Sequence, residues 1–184
     1  MKVELRTSRG VWDARDPESY NYSIKEIARS QSRMTRFCGH TLEKYYLAEH
    51  SVSVAKLVMR VVKLPAGVTR TTLGICGLLH DAAEVFVGDM PGPVKALPEM
   101  AGYRALDDRT QRAILRAFGI WLPAETRAEV DAIVDLADKE MCRKELAGLY
   151  APGLTPWTSS RSYEQFMTLA GELGLAARRA EPGA

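Results

Sequence analysis

The sequence predicts an all-α helical bundle with a small β-hairpin at its N-terminus. Apolar residues recur at the spacing of helical faces along most of the chain. Only residues 2–13 differ, because VELR and GVWD are two short extended segments with Gly10 at the turn between them. Since predicted strand is confined to this segment, the helices must pack mainly on one another.

Proline and glycine mark the ends of the expected helices. Pro65 stops the second, Gly88 follows the third, and Pro123 opens the longest, as is usual for proline at a helix start and glycine beyond its end. The predicted helices span residues 24–34, 47–63, 72–86, 101–118, 123–146 and 162–173. Residues 36–46, with a glycine and several aromatic and polar side chains, are expected to form a loop.

Length and composition indicate one soluble domain over residues 1–184. The chain has 46% hydrophobic and 26% charged residues, which is typical of globular proteins. We expect residues 1–19 to be a hairpin extension and residues 175–184 to be a frayed tail. The net charge of +2 is too small to indicate nucleic acid or an anionic membrane as a partner.

The cysteines and the apolar segments favour a cytoplasmic protein. There are three cysteines and no CxxC pair, which argues against a disulfide framework or a structural zinc cluster. No apolar segment reaches the length of a membrane span, and no charged segment followed by an apolar one predicts a signal peptide.

The first candidate for chemistry is the pair His80-Asp81, which lies within an otherwise apolar predicted helix. Burying an ionised aspartate without a partner is costly, and a cation shared with the histidine would offset that cost. Imidazole and carboxylate are common ligands of divalent transition metals. Taken alone, the pair favours a buried histidine beside a capping or solvated aspartate.

Three further features favour a metal site. His50 lies in AEHS, thirty residues before His80, and Asp138 lies in LADKE, fifty-seven residues after Asp81. The segment HDAAEVFVGDMPGPVK then continues from the pair into an acidic, proline-rich loop.

This order of residues resembles the HD superfamily of metal-dependent phosphohydrolases. The chain is most similar to the 5′-deoxynucleotidase branch, in the variant common in phages and prophages. The resemblance covers about residues 20–170, through the segments SIKEIARSQSRMTRFCGHTLEKYYLAEHSVSVA, GLLHDAAEVFVGDMPGPVK, LADKEMCRKEL and SYEQFM.

The resemblance implies an HD-domain fold in which four residues hold one divalent transition metal. The candidate metals are Mn, Co, Zn, Fe and Ni. The implied ligands are His50, His80, Asp81 and Asp138. Asp135, one turn earlier, is a competing ligand. Asp138 is preferred because the family's aspartate follows a small residue.

The resemblance also implies two catalytic carboxylates. Glu84 would order the attacking water, and Asp89 would contact a sugar hydroxyl or donate a proton to the leaving oxygen. An exposed helix carboxylate and a turn aspartate remain the alternative interpretations.

The implied substrate-binding residues precede the first metal histidine or follow Asp89. Arg36 and Phe37 match the family's arginine–aromatic pair, and a guanidinium can hold two phosphate oxygens at once. His40 would add a second contact, and Lys95 could reach a phosphate. The alternative interpretation of His40 and Lys95 is a solvated surface residue.

The expected reaction is attack of metal-bound water on the phosphorus of a deoxynucleoside 5′-monophosphate. A deoxynucleoside triphosphate triphosphohydrolase is the alternative, and convergence of Arg33, Lys44 and Lys95 on the site would favour it. A non-catalytic nucleotide-binding regulator would be a different class of protein. A nuclease would belong to the same superfamily, but the near-neutral net charge argues against it. We expect a deoxynucleotide as partner, no stable nucleic-acid partner, no membrane, and a homodimer or higher homo-oligomer.

Overall fold

The computed structural model describes residues 3–149 and 155–175, and there the protein is mostly helical with one small hairpin, which confirms the predicted class. The strands are β1 (Glu4–Thr7) and β2 (Gly10–Asp13), and the helices are α1 (Ile24–Gln31), α2 (Leu47–Val58), α3 (Arg70–Leu78), α4 (Glu84–Val87), α5 (Gly92–Lys95), α6 (Ala101–Ala117), α7 (Ala124–Leu149) and α8 (Ser159–Glu172). Residues 176–184, most of the expected frayed tail, lie outside the described residues. Among residues 3–149 and 155–175, no helix has the length and apolar character needed to cross a membrane.

The hairpin is attached to the bundle by buried aromatic residues. Strands β1 and β2 pair antiparallel around a two-residue turn, with Leu5 opposite Trp12. The Trp12 ring lies 5.5 Å from the Phe86 ring of α4, and its indole N–H donates to the Tyr22 hydroxyl at 3.2 Å. The expected N-terminal extension therefore packs against the helix that begins with Glu84.

Helices α2 and α3 pack unusually closely because α3 carries a glycine at their contact. A Cβ atom at Gly77 would lie 2.7 Å from Val58 Cγ2 and 2.9 Å from the Cα of Ala55. Both distances are shorter than van der Waals contact, so only glycine fits. This contact fixes the end of α3 against α2, which carries His50.

The prediction of one continuous helix over residues 72–86 is wrong. Helix α3 ends at Leu78, residues 79–83 form a turn, and α4 begins at Glu84. Two glutamine side chains bind backbone groups of this turn. Gln31 donates to the Asp81 carbonyl at 3.1 Å, and Gln111 donates to the Leu79 carbonyl at 2.6 Å while accepting from the Ala83 N–H at 3.1 Å.

Helix α2 also ends earlier than expected, at Val58 rather than near Lys63. The Arg70 side chain donates to the carbonyl of Met59 and, at 3.0 Å, to that of Val61. These bonds satisfy carbonyl groups beyond the helix end, so the chain leaves the helix before Pro65 requires it.

The loop between α1 and α2 is closed at its base. Thr35 and Tyr46 form an isolated antiparallel bridge, and the Arg36 N–H donates to the Tyr45 carbonyl at 2.9 Å. Inside the loop, Phe37 and Cys38 have φ angles of 55° and 51°, a left-handed conformation that non-glycine residues rarely adopt. The base of the loop places Arg36 beside the start of α2.

Candidate active site

The four predicted metal ligands converge from α2, the 79–83 turn and α7. The Nε2 atom of His50 lies 3.2 Å from His80 Nε2 and 2.9 Å from Asp138 Oδ1. His80 Nε2 also lies 3.1 Å from Asp81 Oδ2. His50, His80 and Asp81 each offer one ligand atom, and all three atoms lie within 4.8 Å of one another.

Both histidines are oriented by a hydrogen bond at the opposite ring nitrogen. His80 Nδ1 lies 2.9 Å from the Gly77 carbonyl, which can only accept, so Nδ1 carries the proton. His50 Nδ1 lies 2.6 Å from the carboxylate of Glu145. Each ring therefore directs Nε2 towards the aspartates, as is usual for histidines that bind metals.

This set of atoms fits a divalent transition metal. Two Nε2 lone pairs that face each other at 3.2 Å repel unless a cation or a proton lies between them. Ligand atoms at right angles around an ion with bonds of about 2.1 Å lie about 3 Å apart, close to the spacings observed here. The His50, His80 and Asp81 group is therefore a place where a metal could bind.

The aspartates are charged and well suited to a cation. Burial alone would raise the pKa of Asp81, but His80, His50 and Arg36 outweigh burial and lower it. Burial also opposes the charged form of His80, and the Asp81 and Asp138 carboxylates outweigh it, so the pKa of His80 is raised.

The geometry favours Asp138 over the competing Asp135. Asp138 Oδ1 lies 2.9 Å from His50 Nε2 and 3.9 Å from His80 Nε2. Asp135 instead pairs with Lys139 at 2.6 Å, and both side chains are more than half exposed. Asp135 is thus an exposed, salt-bridged residue in this structure.

Glu145 is a residue at this site that the sequence interpretation did not single out. It is buried, and it contacts His50, Tyr45 and Arg36. The signal that would have identified it is its spacing, because Glu145 follows Asp138 by seven residues and so lies on the same face of α7 two turns later.

Arg36 lies between the metal group and Glu145. Its Nε donates to Glu145 Oε2 at 3.2 Å, and its Nη1 lies 3.5 Å from Asp81 Oδ2. Burial disfavours the charged guanidinium, but Glu145 and Asp81 outweigh burial and raise the pKa of Arg36. The Phe37 ring lies under the guanidinium, 5.3 Å from Cζ. His40 is exposed at the end of the turn Phe37–Gly39, outside the three-residue metal group.

The pKa values of the two predicted catalytic carboxylates, Glu84 and Asp89, are both raised by the charge of Asp81. Glu84 is buried at the start of α4. Its pKa is raised mainly by burial and further by the negative charges of Asp81 and Asp89. Its Oε2 atom has no hydrogen-bond partner among the described residues. Asp89 is half-buried, and its pKa is raised by burial and by Asp81 although Arg36 opposes the shift. Both carboxylates therefore lie in the electrostatic field of the metal group.

Lys95 is held by α6. Its Nζ lies 2.6 Å from Asp107 and 4.0 Å from Glu84 Oε1. The Tyr103 hydroxyl donates to the Gly88 carbonyl at 2.6 Å, and Arg104 donates to the carbonyl of Lys95 at 2.6 Å. These contacts tie the segment that carries Asp89 to α6, and a phosphate contact by Lys95 stays a prediction.

Comparison with known proteins places this arrangement in a family. The family model described as "5′-deoxynucleotidase YfbR-like" matches residues 25–149. This range includes all four candidate ligands, Arg36 and Glu145. The chain belongs to the YfbR-like family. The family is one of HD-type phosphohydrolases, a metal-dependent class, in agreement with the family and enzyme class expected from the sequence.

Two relatives extend the comparison beyond the YfbR-like match. An uncharacterized protein of Rhodobacter capsulatus is 37% identical over 135 residues, which is 72% of this chain and 65% of that protein. The uncharacterized protein YfdR of Escherichia coli is 30% identical over 97 residues, which is 53% of this chain and 47% of that protein. The chain therefore spans less than two thirds of either relative.

Proposed function

We propose that this protein is a metal-dependent phosphohydrolase that removes phosphate from deoxynucleoside 5′-monophosphates. The observation that carries the proposal is the position of the Arg36 guanidinium, 3.5 Å from Asp81 Oδ2 and thus directly beside the His50, His80 and Asp81 group. A phosphate at this place would meet a fixed cation on one side and the metal group on the other, which is the arrangement that phosphoryl transfer needs.

The proposed metal ligands are His50, His80, Asp81 and Asp138. A divalent metal, when bound, polarises a phosphoryl oxygen and lowers the pKa of a coordinated water. Two histidines and two carboxylates leave positions for water and substrate, as catalytic sites do. Asp138 is 36% exposed and Asp81 19% exposed, so the ligand atoms can be reached from solvent.

The proposed roles of the surrounding residues follow from their environments. Arg36 binds phosphate oxygens, with Phe37 supporting its guanidinium. Glu84 has a buried carboxylate oxygen without a described partner, and a water or substrate hydroxyl would satisfy it; we assign it the orientation of the attacking water. Asp89 contacts a sugar hydroxyl or protonates the leaving oxygen.

The distribution of cations favours a monophosphate over a triphosphate. Lys95 is already paired with Asp107, and Arg33 is exposed. Lys44 lines a different cavity, of about 660 Å³, together with Trp157 and Thr158. Among the described residues, no ion pair joins any of these three cations to His50, His80 or Asp81, whereas Arg36 pairs with Asp81.

A panel of substrates tests the proposal. Purified protein is incubated with deoxynucleoside monophosphates, ribonucleoside monophosphates and deoxynucleoside triphosphates, each with manganese, cobalt or zinc, and phosphate and triphosphate release are measured separately. We expect phosphate release from deoxynucleoside monophosphates and none from Asp81→Ala. Triphosphate release would instead establish the triphosphohydrolase, and nucleotide binding without turnover would indicate the regulatory protein.

Two further expectations remain proposals. We propose a homodimer or higher homo-oligomer, which light scattering coupled to size-exclusion chromatography tests directly. We also propose that the native metal is one of Mn, Co, Zn, Fe and Ni, which elemental analysis of protein purified without added metal would identify.

A further inference from the structure

We propose that Glu145 is a positioning residue that holds a metal-binding histidine and the phosphate-binding arginine in one fixed arrangement. The roles of His50 and Arg36 in this proposal rest on the function proposed above. Glu145 is 3% exposed, and its two carboxylate oxygens contact different halves of the site.

The first oxygen, Oε1, faces the metal half. It accepts a hydrogen bond from His50 Nδ1 at 2.6 Å and another from the Tyr45 hydroxyl at 2.9 Å. Burial and the Glu145 charge raise the pKa of Tyr45, so its hydroxyl remains a donor. Oε1 therefore keeps the His50 proton on Nδ1 and leaves the Nε2 lone pair directed at His80 and Asp138.

The second oxygen, Oε2, faces the phosphate half. It accepts from Arg36 Nε at 3.2 Å, whereas Arg36 Nη1 lies at the longer distance of 3.5 Å from Asp81. Arg36 thus has two competing carboxylates, and Asp81 is one of the proposed metal ligands. By binding Nε, Glu145 limits how far the guanidinium can move towards Asp81 and leaves terminal nitrogens for a phosphate.

Charge balance supports the same role. The pair of Glu145 and Arg36 is neutral, so the proposed ligand set contributes two negative charges, from Asp81 and Asp138. Two charges match a divalent cation. Without the Glu145 charge, Arg36 would neutralise Asp81 instead, and the site would offer less charge to the metal.

The test compares Glu145→Gln with Glu140→Gln. Both residues lie on α7, but Glu140 is solvent-accessible and pairs with Arg143 and Lys144. Cobalt(II) affinity is measured by equilibrium dialysis, the cobalt coordination by its visible absorption spectrum, and KM and kcat with a deoxynucleoside monophosphate. For Glu145→Gln we expect cobalt affinity to fall by about 10- to 100-fold, an altered cobalt spectrum and a raised KM. Glu140→Gln should match the wild type.

A second pair of variants separates positioning from simple stability. In the Glu145→Gln background, Arg36→Met removes the cation that competes for Asp81, so cobalt affinity should recover by several-fold. Tyr45→Phe removes one hydrogen bond to the same carboxylate and should leave the cobalt spectrum close to wild type.

The proposal is overturned if Glu145→Gln lowers the melting temperature while cobalt affinity, cobalt spectrum and KM stay at wild-type values. It is equally overturned if Arg36→Met weakens cobalt binding further in that background. If the wild-type protein hydrolyses no deoxynucleotide, the proposed function fails, and the cobalt measurements still decide the role of Glu145.

Discussion

The Nε2 atoms of His50 and His80 lie 3.2 Å apart although thirty residues separate them in the chain. His50 lies on α2, whereas His80 lies in the turn that follows α3. The Gly77 carbonyl orients one ring and the Glu145 carboxylate orients the other. The geometry of the candidate metal site therefore depends on residues outside the ligand set.

Asp138→Asn and Asp135→Asn form a matched pair, because both residues lie on α7 one turn apart. Asp138 contacts His50 at 2.9 Å, whereas Asp135 pairs with Lys139 on the exposed face. We expect Asp138→Asn to reduce metal affinity and turnover by at least tenfold, because a neutral amide is a poorer ligand than a carboxylate. Asp135→Asn should change neither. If the two variants lose metal affinity and turnover to the same extent, the choice of Asp138 over Asp135 as the ligand is wrong.

Metal binding should stabilise the folded protein, because the unfolded chain does not hold the four ligands together. At a free metal concentration one hundred times the dissociation constant, the gain is about 2.7 kcal/mol. We expect manganese or cobalt to raise the melting temperature measured by calorimetry, and a chelator to reverse the increase. Asp81→Ala should show no increase, and a wild-type melting temperature indifferent to every metal would contradict the site.

Lys95→Met and Lys139→Met compare two ion pairs of the same length, 2.6 Å. Lys95 is 30% exposed and its partner Asp107 16%, whereas the other pair is mostly exposed. We expect the free energy of unfolding to fall by about 1 kcal/mol for Lys95→Met and by less than about 0.5 kcal/mol for Lys139→Met. Urea denaturation measures both values. A raised KM with unchanged stability would instead support a phosphate contact by Lys95.

Gly77→Ala should destabilise the contact between α2 and α3. The added Cβ would lie 2.7 Å from Val58 Cγ2, so the helices must separate at a cost of about 1–3 kcal/mol. Because His80 follows α3, the same change should weaken metal binding. Gly102→Ala, in α6, adds a methyl group where nothing lies within 4 Å, and we expect no destabilisation. Wild-type stability of Gly77→Ala in urea would show that the close contact is not needed.

The thiol of Cys76 should resist alkylation. Burial raises its pKa to about 11, so at pH 8 it is both inaccessible and protonated. The exposed Cys38 should react with iodoacetamide first, and peptide mass spectrometry distinguishes the two. The raised pKa also means that the thiol's contribution to stability is complete below about pH 9 and is lost as the pH rises towards 11. Rapid modification of Cys76 at pH 8 in the folded protein would contradict this burial.

The helical class and the hairpin were predicted from the sequence and are confirmed. The four ligands were implied by a resemblance, and their role as metal ligands stays a prediction. Apolar spacing predicted the helices, and Pro123 marked the residue before α7. The break between α3 and α4 could not be predicted this way, because residues on both sides are apolar and buried. The groups that satisfy it, Gln31 and Gln111, come from distant helices, and periodicity carries no information about such contacts.

The substrate half of the site was predicted less completely. Arg36 was identified through a resemblance, but its partner Glu145 lies 109 residues later in the chain. Lys95 illustrates the opposite difficulty, since a lysine in a loop has the same appearance in sequence whether it faces a phosphate or Asp107. Long-range pairs between charged side chains depend on how helices dock, which a single sequence does not specify.

The closed base of the loop between α1 and α2 has a consequence for how such sites diversify. Backbone bonds from Arg36 to Tyr45 and from Leu47 to Met34 hold the two ends together, both at 2.9 Å. We therefore expect that the exposed residues Cys38, Gly39 and His40 can change without displacing the backbone of Arg36 or the start of α2. Sequence changes in this segment would alter the surroundings of a substrate, while Arg36 and His50 keep their positions.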